Sequence, residues 1–364
     1  MAENEAPDVD VVIAVHDPRR RVGRAVASVL DGGQVRTRVT VVCHNLPVEA
    51  IHESFARDGM DAAHPAVRFL AHTDGIPSPA GPFNRGIDAA TGHYVSVMGS
   101  DDFLEPGAVR AWYELARRRS ADAVIARVRR PSGAAVPTPV TRPWRTGTLD
   151  LVRDRLAYRS APLGLVARDV VDALSLRMTE KVPSGEDISF VTRLWASGRV
   201  VLARGRPAYR IGEDAEDRVT VAPRPVDTEM LCVRAVLEAG WFVALPYDVR
   251  TSVVTKLLRI HVFGAVHNRQ ETPNWESGGR EALQETAGLL VRAAPDAVRP
   301  LSVADRRLLD AVLNLSVPTE ELIDRSVARR RFGRPETLVP RDWRAVLHRE
   351  APLRFMTASL LASR

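Results

Sequence analysis

Cysteine and lysine are almost missing from this 364-residue chain, which has two cysteines, Cys43 and Cys232, and two lysines, Lys181 and Lys256. So few thiols exclude a disulfide-stapled scaffold, and both lie in apolar runs where buried, reduced side chains are expected. With lysine scarce, nearly all of the 51 basic residues are arginine, set against 45 acidic ones for a net charge of +6. A GC-rich coding sequence is the simplest source of that bias, although guanidinium groups also suit phosphates and anionic surfaces. The arginine runs at 19–21, 117–119 and 329–331 are scattered. No helix-turn-helix, zinc-finger or RNA-binding motif accompanies them, so nucleic acid is not an expected partner. Long apolar runs are missing too. Residues 252–266 are broken by Lys256, Arg259 and His261, short of the ~18 unbroken apolar residues of a span. Residues 10–15 are too few for a signal peptide and no cleavage site follows them. A soluble, cytoplasmic protein is expected. No GxGxxG or P-loop indicates NAD or a Walker-type ATP site, and the nine histidines include no HExxH pair, so no structural zinc site is expected. With 45% hydrophobic and 26% charged residues, disorder throughout and a collagen-like fibre are excluded.

What is present is an alternation. Residues 1–8 are polar and expected to be disordered. Apolar runs at 9–15, 38–43, 67–71, 93–98 and 122–128 read as strands, and apolar residues at helical spacing mark helices at 22–30, 47–57, 83–90 and 106–118. Strands alternating with helices imply an α/β fold around a mostly parallel sheet with flanking helices. Such sheets bind ligands beyond the carboxyl ends of their strands. Residues 131–147 hold four prolines and no period, a long loop of the functional or mobile kind. Trp144 inside it reads equally as a contact for a sugar face or as an anchor pinning the loop. After more helix and strand from 149 to about 208, a composition shift at 223–225 separates residues 9–225 from a helical region, 226–364. Its helices are expected at 228–240, 247–266, 277–293, 302–315, 319–330 and in a terminal stretch.

Three strand ends carry polar residues that folding does not need. They are His16-Asp17, His44-Asn45, and Gly99-Ser100-Asp101-Asp102. Parallel strands place all three on one edge. Two adjacent carboxylates repel unless a cation or a donor intervenes, and a hard divalent ion bridging to phosphates is a common solution. Alternatively, Asp101 or Asp102 caps the helix beginning near Pro106, which explains one acid better than two. A fourth element is Ser184-Gly185-Glu186-Asp187, followed by Ile188, Phe190, Val191 and Leu194 at helical spacing. On periodicity alone, Glu186 and Asp187 read best as acidic caps that complement the helix dipole.

In this order the pieces resemble the family 2 glycosyltransferases, which have the GT-A fold. The matching residues are VVIAVHD at the first strand, FNRGIDAATGHYVSVMGSDDFLEPGAV in the middle, with Asn84, Gly86, Ile87, Ala90, Gly92, Asp101, Asp102 and Pro106, and GEDISFVTRLWASG downstream. The resemblance covers roughly residues 9–220. It implies an inverting transfer from a nucleotide-sugar donor, UDP-linked by preference, with Mn2+ or Mg2+ held by Asp101. Asp187, beside Glu186, becomes the catalytic base. The nucleoside would lie across Val15, His16, Asp17 and Asn45, with Asp74, Asn84, Ser100 and Asp102 lining the same cleft. Arg210 and Arg218 would sit on a segment closing over the diphosphate, although a solvated charged loop is the plainer reading of that stretch. Three positions depart from the family pattern. Gly99 replaces the first aspartate of the metal motif, Cys43-His44-Asn45 replaces an aspartate after the second strand, and Phe83 replaces an arginine.

In physical terms, a divalent ion would stabilise charge on the departing diphosphate, and a carboxylate on the far side of the sugar would take the acceptor's proton. At a helix start Asp187 is expected to be ionised at neutral pH, leaving positioning to contribute more than basicity. The acceptor, by analogy of fold alone, is a cell-surface glycopolymer or a lipid-linked precursor at the inner face of the membrane, in keeping with cell wall biogenesis. The C-terminal helices are read as a packing module, an oligomerisation surface or an acceptor platform. The terminal LRFMTASLLASR offers an apolar face to a partner subunit or a membrane surface, with self-association favoured. Two rivals stand beside this reading. One is a nucleotide-sugar-binding protein on a catalytically weakened scaffold. The other is a sugar nucleotidyltransferase, whose glycine- and lysine-rich loop HDPRRR does not supply.

Overall fold

The computed structural model describes residues 6–205, 207–212 and 224–362. Its first half alternates β1 (Val9–Val15), α1 (Val22–Leu30), β2 (Thr37–His44), α2 (Glu49–Arg57), β3 (Val67–His72), α3 (Ala80–Ala89) and β4 (Tyr94–Gly99). There follow β5 (Phe103–Leu104), α4 (Ala108–Arg119), β6 (Ala123–Ile125), β7 (Val128–Arg129), β8 (Gly164–Ala167), α5 (Arg168–Ala173), α6 (Ile188–Ser197), β9 (Val200–Leu202) and β10 (Tyr209–Arg210). Seven strands make one sheet in the order β3-β2-β1-β4-β8-β6-β9. All neighbours run parallel except β8, which is antiparallel to both β4 and β6. The central strand β1 is almost completely buried because helices cover both faces, which is why it reads as an unbroken valine–isoleucine run. Register pairs Val15 with Cys43 and Ala14 with Gly99, so the polar ends of β1, β2 and β4 do share one edge.

Several expectations change in detail. Asp8, placed in a disordered N-terminus, is held: its N–H donates to Arg36 O at 2.7 Å and its carboxylate pairs with the Arg36 guanidinium. Helix α3 starts three residues earlier than expected. Pro82 sits in its first turn, where a missing N–H leaves no bond unmade. The strand expected over 122–128 splits between two sheets. Ala126 N–H turns to Leu163 O, Arg127 O accepts from Tyr209 N–H, and β7 joins β5 and β10 in a second, three-stranded sheet. Trp144 is 86% exposed, so it does not pin its loop.

The helical region comprises α7 (Val226–Glu238), α8 (Gly240–Val243), α9 (Tyr247–Leu257), α10 (Phe263–His267), α11 (Gly279–Ala293), α12 (Val303–Leu313), α13 (Thr319–Arg329), α14 (Pro335–Leu338) and α15 (Pro352–Ala362). The single helix expected over 247–266 is interrupted by a π-helical turn, Leu258–Val262. Such insertions re-aim side chains and recur at functional sites. One hydrophobic cluster runs without a break from the sheet and α6 (Val95, Ile188, Trp195) into these helices (Met230, Val254, Leu258, Leu308). The chain therefore changes character near residue 225, but its core does not. Arg259 ties the halves further, donating to Tyr158 Oη at 3.0 Å and to Glu350 O at 2.8 Å. Among the described residues, no helix is long and apolar enough to cross a membrane.

Candidate functional site

At the end of β4 the chain turns through Gly99-Ser100-Asp101-Asp102. Neither aspartate caps α4, whose N-cap is Gly107 in a left-handed conformation. Instead each carboxylate meets donors. Tyr209 Oη donates to Asp102 Oδ2 at 2.5 Å, and Gly212 N–H donates to Asp102 Oδ1 at 2.8 Å. Arg20, nearly buried, brings its guanidinium to 3.3 Å from Asp101 Oδ2, while Arg24 donates to the Asp101 carbonyl at 2.8 Å. Like-charge repulsion between the neighbours is thus relieved by protein donors. The departure at Gly99 follows from this packing. A Cβ there would lie 2.7 Å from Asp102 Oδ2, so the Asp102 carboxylate fills the space a side chain at 99 would need. Gly212 is equally constrained, because a Cβ would collide with the Asp101 carbonyl. Asp102 is therefore a tether between this turn and the segment after β10. Asp101 keeps partial exposure. One carboxylate at a strand end fits a hard cation that draws its remaining ligands from substrate phosphates and water.

The fourth acidic element behaves differently. Asp187 is the N-cap of α6, yet its side chain makes no capping bond. Capping, the stronger reading from periodicity, does not account for this carboxylate. The turn is clamped through its backbone: Thr179 N–H donates to Glu186 O, and Ile188 N–H to Gly185 O. Asp187 is half-buried. Burial, then the neighbouring Glu186, pushes its pKa up to about 8, opposed by the charge of Lys256. Burial raises Glu186 too. The expectation that Asp187 is ionised at neutral pH is therefore corrected, because the helices that enclose it come from the region after 225. There, α7 brings Cys232 against Gly185. Lys256 of α9 is buried, with Nζ 3.1 Å from His261 Nε2, and burial lowers its pKa to about 8 against the pull of Asp187. The buried Arg159 lies within electrostatic reach of both Asp187 and Tyr209, and Tyr209 is the partner of Asp102.

The remaining expected residues divide. Val15 is part of the hydrophobic core, so only its backbone can face a ligand. His16 is exposed and Ser100 buried. Asp17 is engaged by Arg19, through its N–H at 2.8 Å and its guanidinium at 2.9 Å, and this partner lowers the Asp17 pKa. Asn84 is engaged within the protein. Its amide donates to Met178 O and Glu180 Oε1, both at 3.0 Å, and accepts from Met178 N–H at 2.9 Å. It fastens α3 to the chain leading into Glu186. Arg210 is likewise occupied, with Glu105 at 3.6 Å and the Pro131 carbonyl at 3.2 Å, so it is a strut of the small sheet. Arg218 lies outside the described residues. Asn45, in the left-handed region at φ 58°, accepts from Asp74 N–H and Gly75 N–H. Asp74 in turn meets His44 Nε2 at 2.8 Å and His72 Nε2 at 3.1 Å. These two histidines and Asp74 offer three ligand atoms within 4.8 Å of one another, an arrangement that no HExxH spacing describes.

Sequence reasoning missed Tyr209, Arg20, Arg159 and His72. It met Lys256 only as an interruption of an apolar run. That interruption was the available signal, since one of two lysines in the chain sits where burial is otherwise complete.

A mostly parallel α/β sheet with flanking helices and polar strand ends on one edge is the layout of a glycosyltransferase catalytic domain. Residues 10–174 match the model of the glycosyl transferase family 2, and this segment belongs to that family. The chain is 30% identical over 126 residues to the succinoglycan biosynthesis protein ExoO of Rhizobium meliloti, covering 34% of each chain. It is 20% identical over 123 residues to the poly(ribitol-phosphate) beta-glucosyltransferase of Bacillus spizizenii, covering 34% of this chain and 19% of that protein. The matches thus span about a third or less of these relatives. Residues 1–349 of S. aureus TarS, in complex with UDP-GlcNAc, align at a TM-score of 0.71 and 14% identity over 90% of this chain and 93% of that one. At that identity the likeness is one of fold, and it extends through the helical region.

Proposed function

We propose that this glycosyltransferase moves a sugar from a UDP-linked donor to a hydroxyl of a surface glycopolymer or a lipid-linked precursor, with inversion, and that Asp187 is the base. One observation carries the reading: at the start of α6 a carboxylate lies enclosed, without a capping bond, its pKa raised to about 8. In its anionic form a group so placed accepts the acceptor's proton near neutral pH and becomes neutral by doing so. Glu186 beside it adds to the field that favours proton uptake. The chemistry of the relatives agrees in kind, since one acts on poly(ribitol-phosphate) and a fold neighbour binds UDP-GlcNAc.

Asp101 would hold the divalent ion, Mn2+ or Mg2+, which when bound neutralises charge gathering on the diphosphate. Arg20 and Tyr209, through Asp101 and Asp102, fix the turn that presents it. Residues 9–225 supply the donor cleft, and 226–364 enclose the base from behind. The rival reading, a donor-binding protein without turnover, draws on Arg20 standing beside Asp101. Donor hydrolysis measured with and without manganese separates the two.

The test of the base is Asp187→Asn. Turnover should fall by about 10²–10⁴-fold, while calorimetry should return a UDP-sugar affinity within about twofold of the parent. Unchanged turnover in that variant ends the assignment.

A further inference from the structure

We propose that His44, His72 and Asp74 form a binding site for a transition-metal dication of the zinc type, separate from Asp101. The site follows from strand register. His44 ends β2, His72 ends β3, and the two are partners in the parallel ladder. Partners in register project their side chains to the same face of a sheet, so the imidazoles arrive together, ring centroids 5.7 Å apart. Asp74 is folded back onto them. Its own carboxylate accepts from Ile76 N–H at 2.9 Å, and Asn45 Oδ1 accepts from Asp74 N–H at 3.0 Å and Gly75 N–H at 2.9 Å. The turn is therefore built before any ligand arrives.

The donor atoms already lie close to the spacing an ion requires. His44 Nε2 is 2.8 Å from Asp74 Oδ1, and His72 Nε2 is 3.1 Å from Asp74 Oδ2. Two ligands each about 2.1 Å from a tetrahedral zinc stand about 3.4 Å apart, so an ion needs the side chains to part by a few tenths of an ångström. Two imidazoles and a carboxylate select zinc, cobalt or nickel over magnesium or calcium. His44 is nearly buried while His72 and Asp74 are about a quarter exposed, leaving one side of the triad open to water or a further ligand.

Two details of the surroundings point the same way. The Asn45 amide is oriented by its two backbone donors, which puts its NH2 group 3.0 Å from His44 Nε2. A proton on that nitrogen serves Asp74 but faces the amide donor, whereas a bare nitrogen serves the amide but faces the carboxylate. A dication shared with Asp74 takes the bare nitrogen's lone pair and leaves the amide NH2 to donate to Asp74 Oδ1, 3.5 Å away. Position 81, within α3, is glycine although glycine weakens helices. A Cβ there would collide with His72 Nε2 and lie 2.6 Å from Asp74 Oδ2. The absent side chain keeps room around the donor atoms. An ion held here would clip the ends of β2 and β3 together at the sheet edge.

The proposal does not rest on the transferase reading, and its test needs no turnover. The 364-residue chain, stripped with a chelator, would be titrated with Zn2+ alone against a chromophoric competitor, and with Co2+ while its visible absorption is followed. The expected result is one equivalent per chain with submicromolar affinity. His72→Ala, which changes a partly exposed side chain, should weaken binding at least 100-fold, and Asp101→Asn should leave it within twofold. A thermal scan of each metal-free variant checks folding, and Zn2+ should raise the midpoint of the parent but not that of His72→Ala. No stoichiometric uptake, uptake that survives His72→Ala, or uptake lost in Asp101→Asn would overturn the proposal.

Discussion

Asp101-Asp102 and Glu186-Asp187 are both adjacent acidic pairs that precede a helix, and in sequence they invite one explanation. Their surroundings are opposite. The first pair is answered atom by atom, by Arg20, Tyr209 and the Gly212 N–H. The second is met only by backbone N–H groups, and the largest opposing charge on Asp187 is that of Lys256, on a helix from the other half of the chain. Donors that satisfy a carboxylate fix its position and favour its anion. Burial that outweighs its few donors raises its affinity for a proton. The first arrangement suits a turn that presents a ligand. The second suits a group that must take up a proton and give it away.

The comparison can be broken most decisively at Asp187. Besides the turnover loss already stated, Asp187→Asn separates the pairs thermodynamically. The folded carboxyl holds its proton to about pH 8, while the unfolded one releases it near pH 4. Between those values the unfolded state binds fewer protons, so this group lowers stability as pH rises. The variant should therefore gain in melting temperature relative to the parent as pH goes from 5 to 8, measured by thermal scans at each pH. At the first pair the opposite holds, and losing a donor should hurt. Tyr209→Phe removes a hydrogen bond to a charged group and should cost about 1.5–3 kcal/mol in chemical denaturation, with a rise in the KM for donor. Gly99→Asp restores the family's aspartate, yet it should not tighten manganese. Its Cβ meets the Asp102 carboxylate at 2.7 Å, and overpacking of this kind costs about 1–3 kcal/mol. Tighter manganese binding in that variant, measured by calorimetry, would show that Asp102 yields easily and is no tether.

Much of the fold could be read in the chain because its signals are local. β1 and α1 fall where unbroken apolar residues and helical spacing put them. The alternation of strand and helix also implied a parallel sheet with its polar ends on one edge. The site was legible only as residue types. That Asn84 secures Met178, or that Tyr209 reaches Asp102, depends on contacts 94 and 107 residues apart, which no spacing rule encodes. His72 was invisible for a related reason, since only the register of β2 with β3 carries it to His44. The ionisation expected of Asp187 was drawn from its helix start alone. The burial that reverses it comes with α7 and α9, elements whose packing partner their own sequence does not name.

The most direct measurement is the pH dependence of kcat/KM for the unmodified protein between pH 5 and 9.5, which reports the free enzyme's essential groups. An enclosed base at Asp187 predicts activity that rises with pH and levels off above an apparent pKa near 8, with that limb absent from the residual activity of Asp187→Asn. A profile already flat from pH 6 upward, with its ascending limb in the ordinary carboxylate range near 4, would contradict the account.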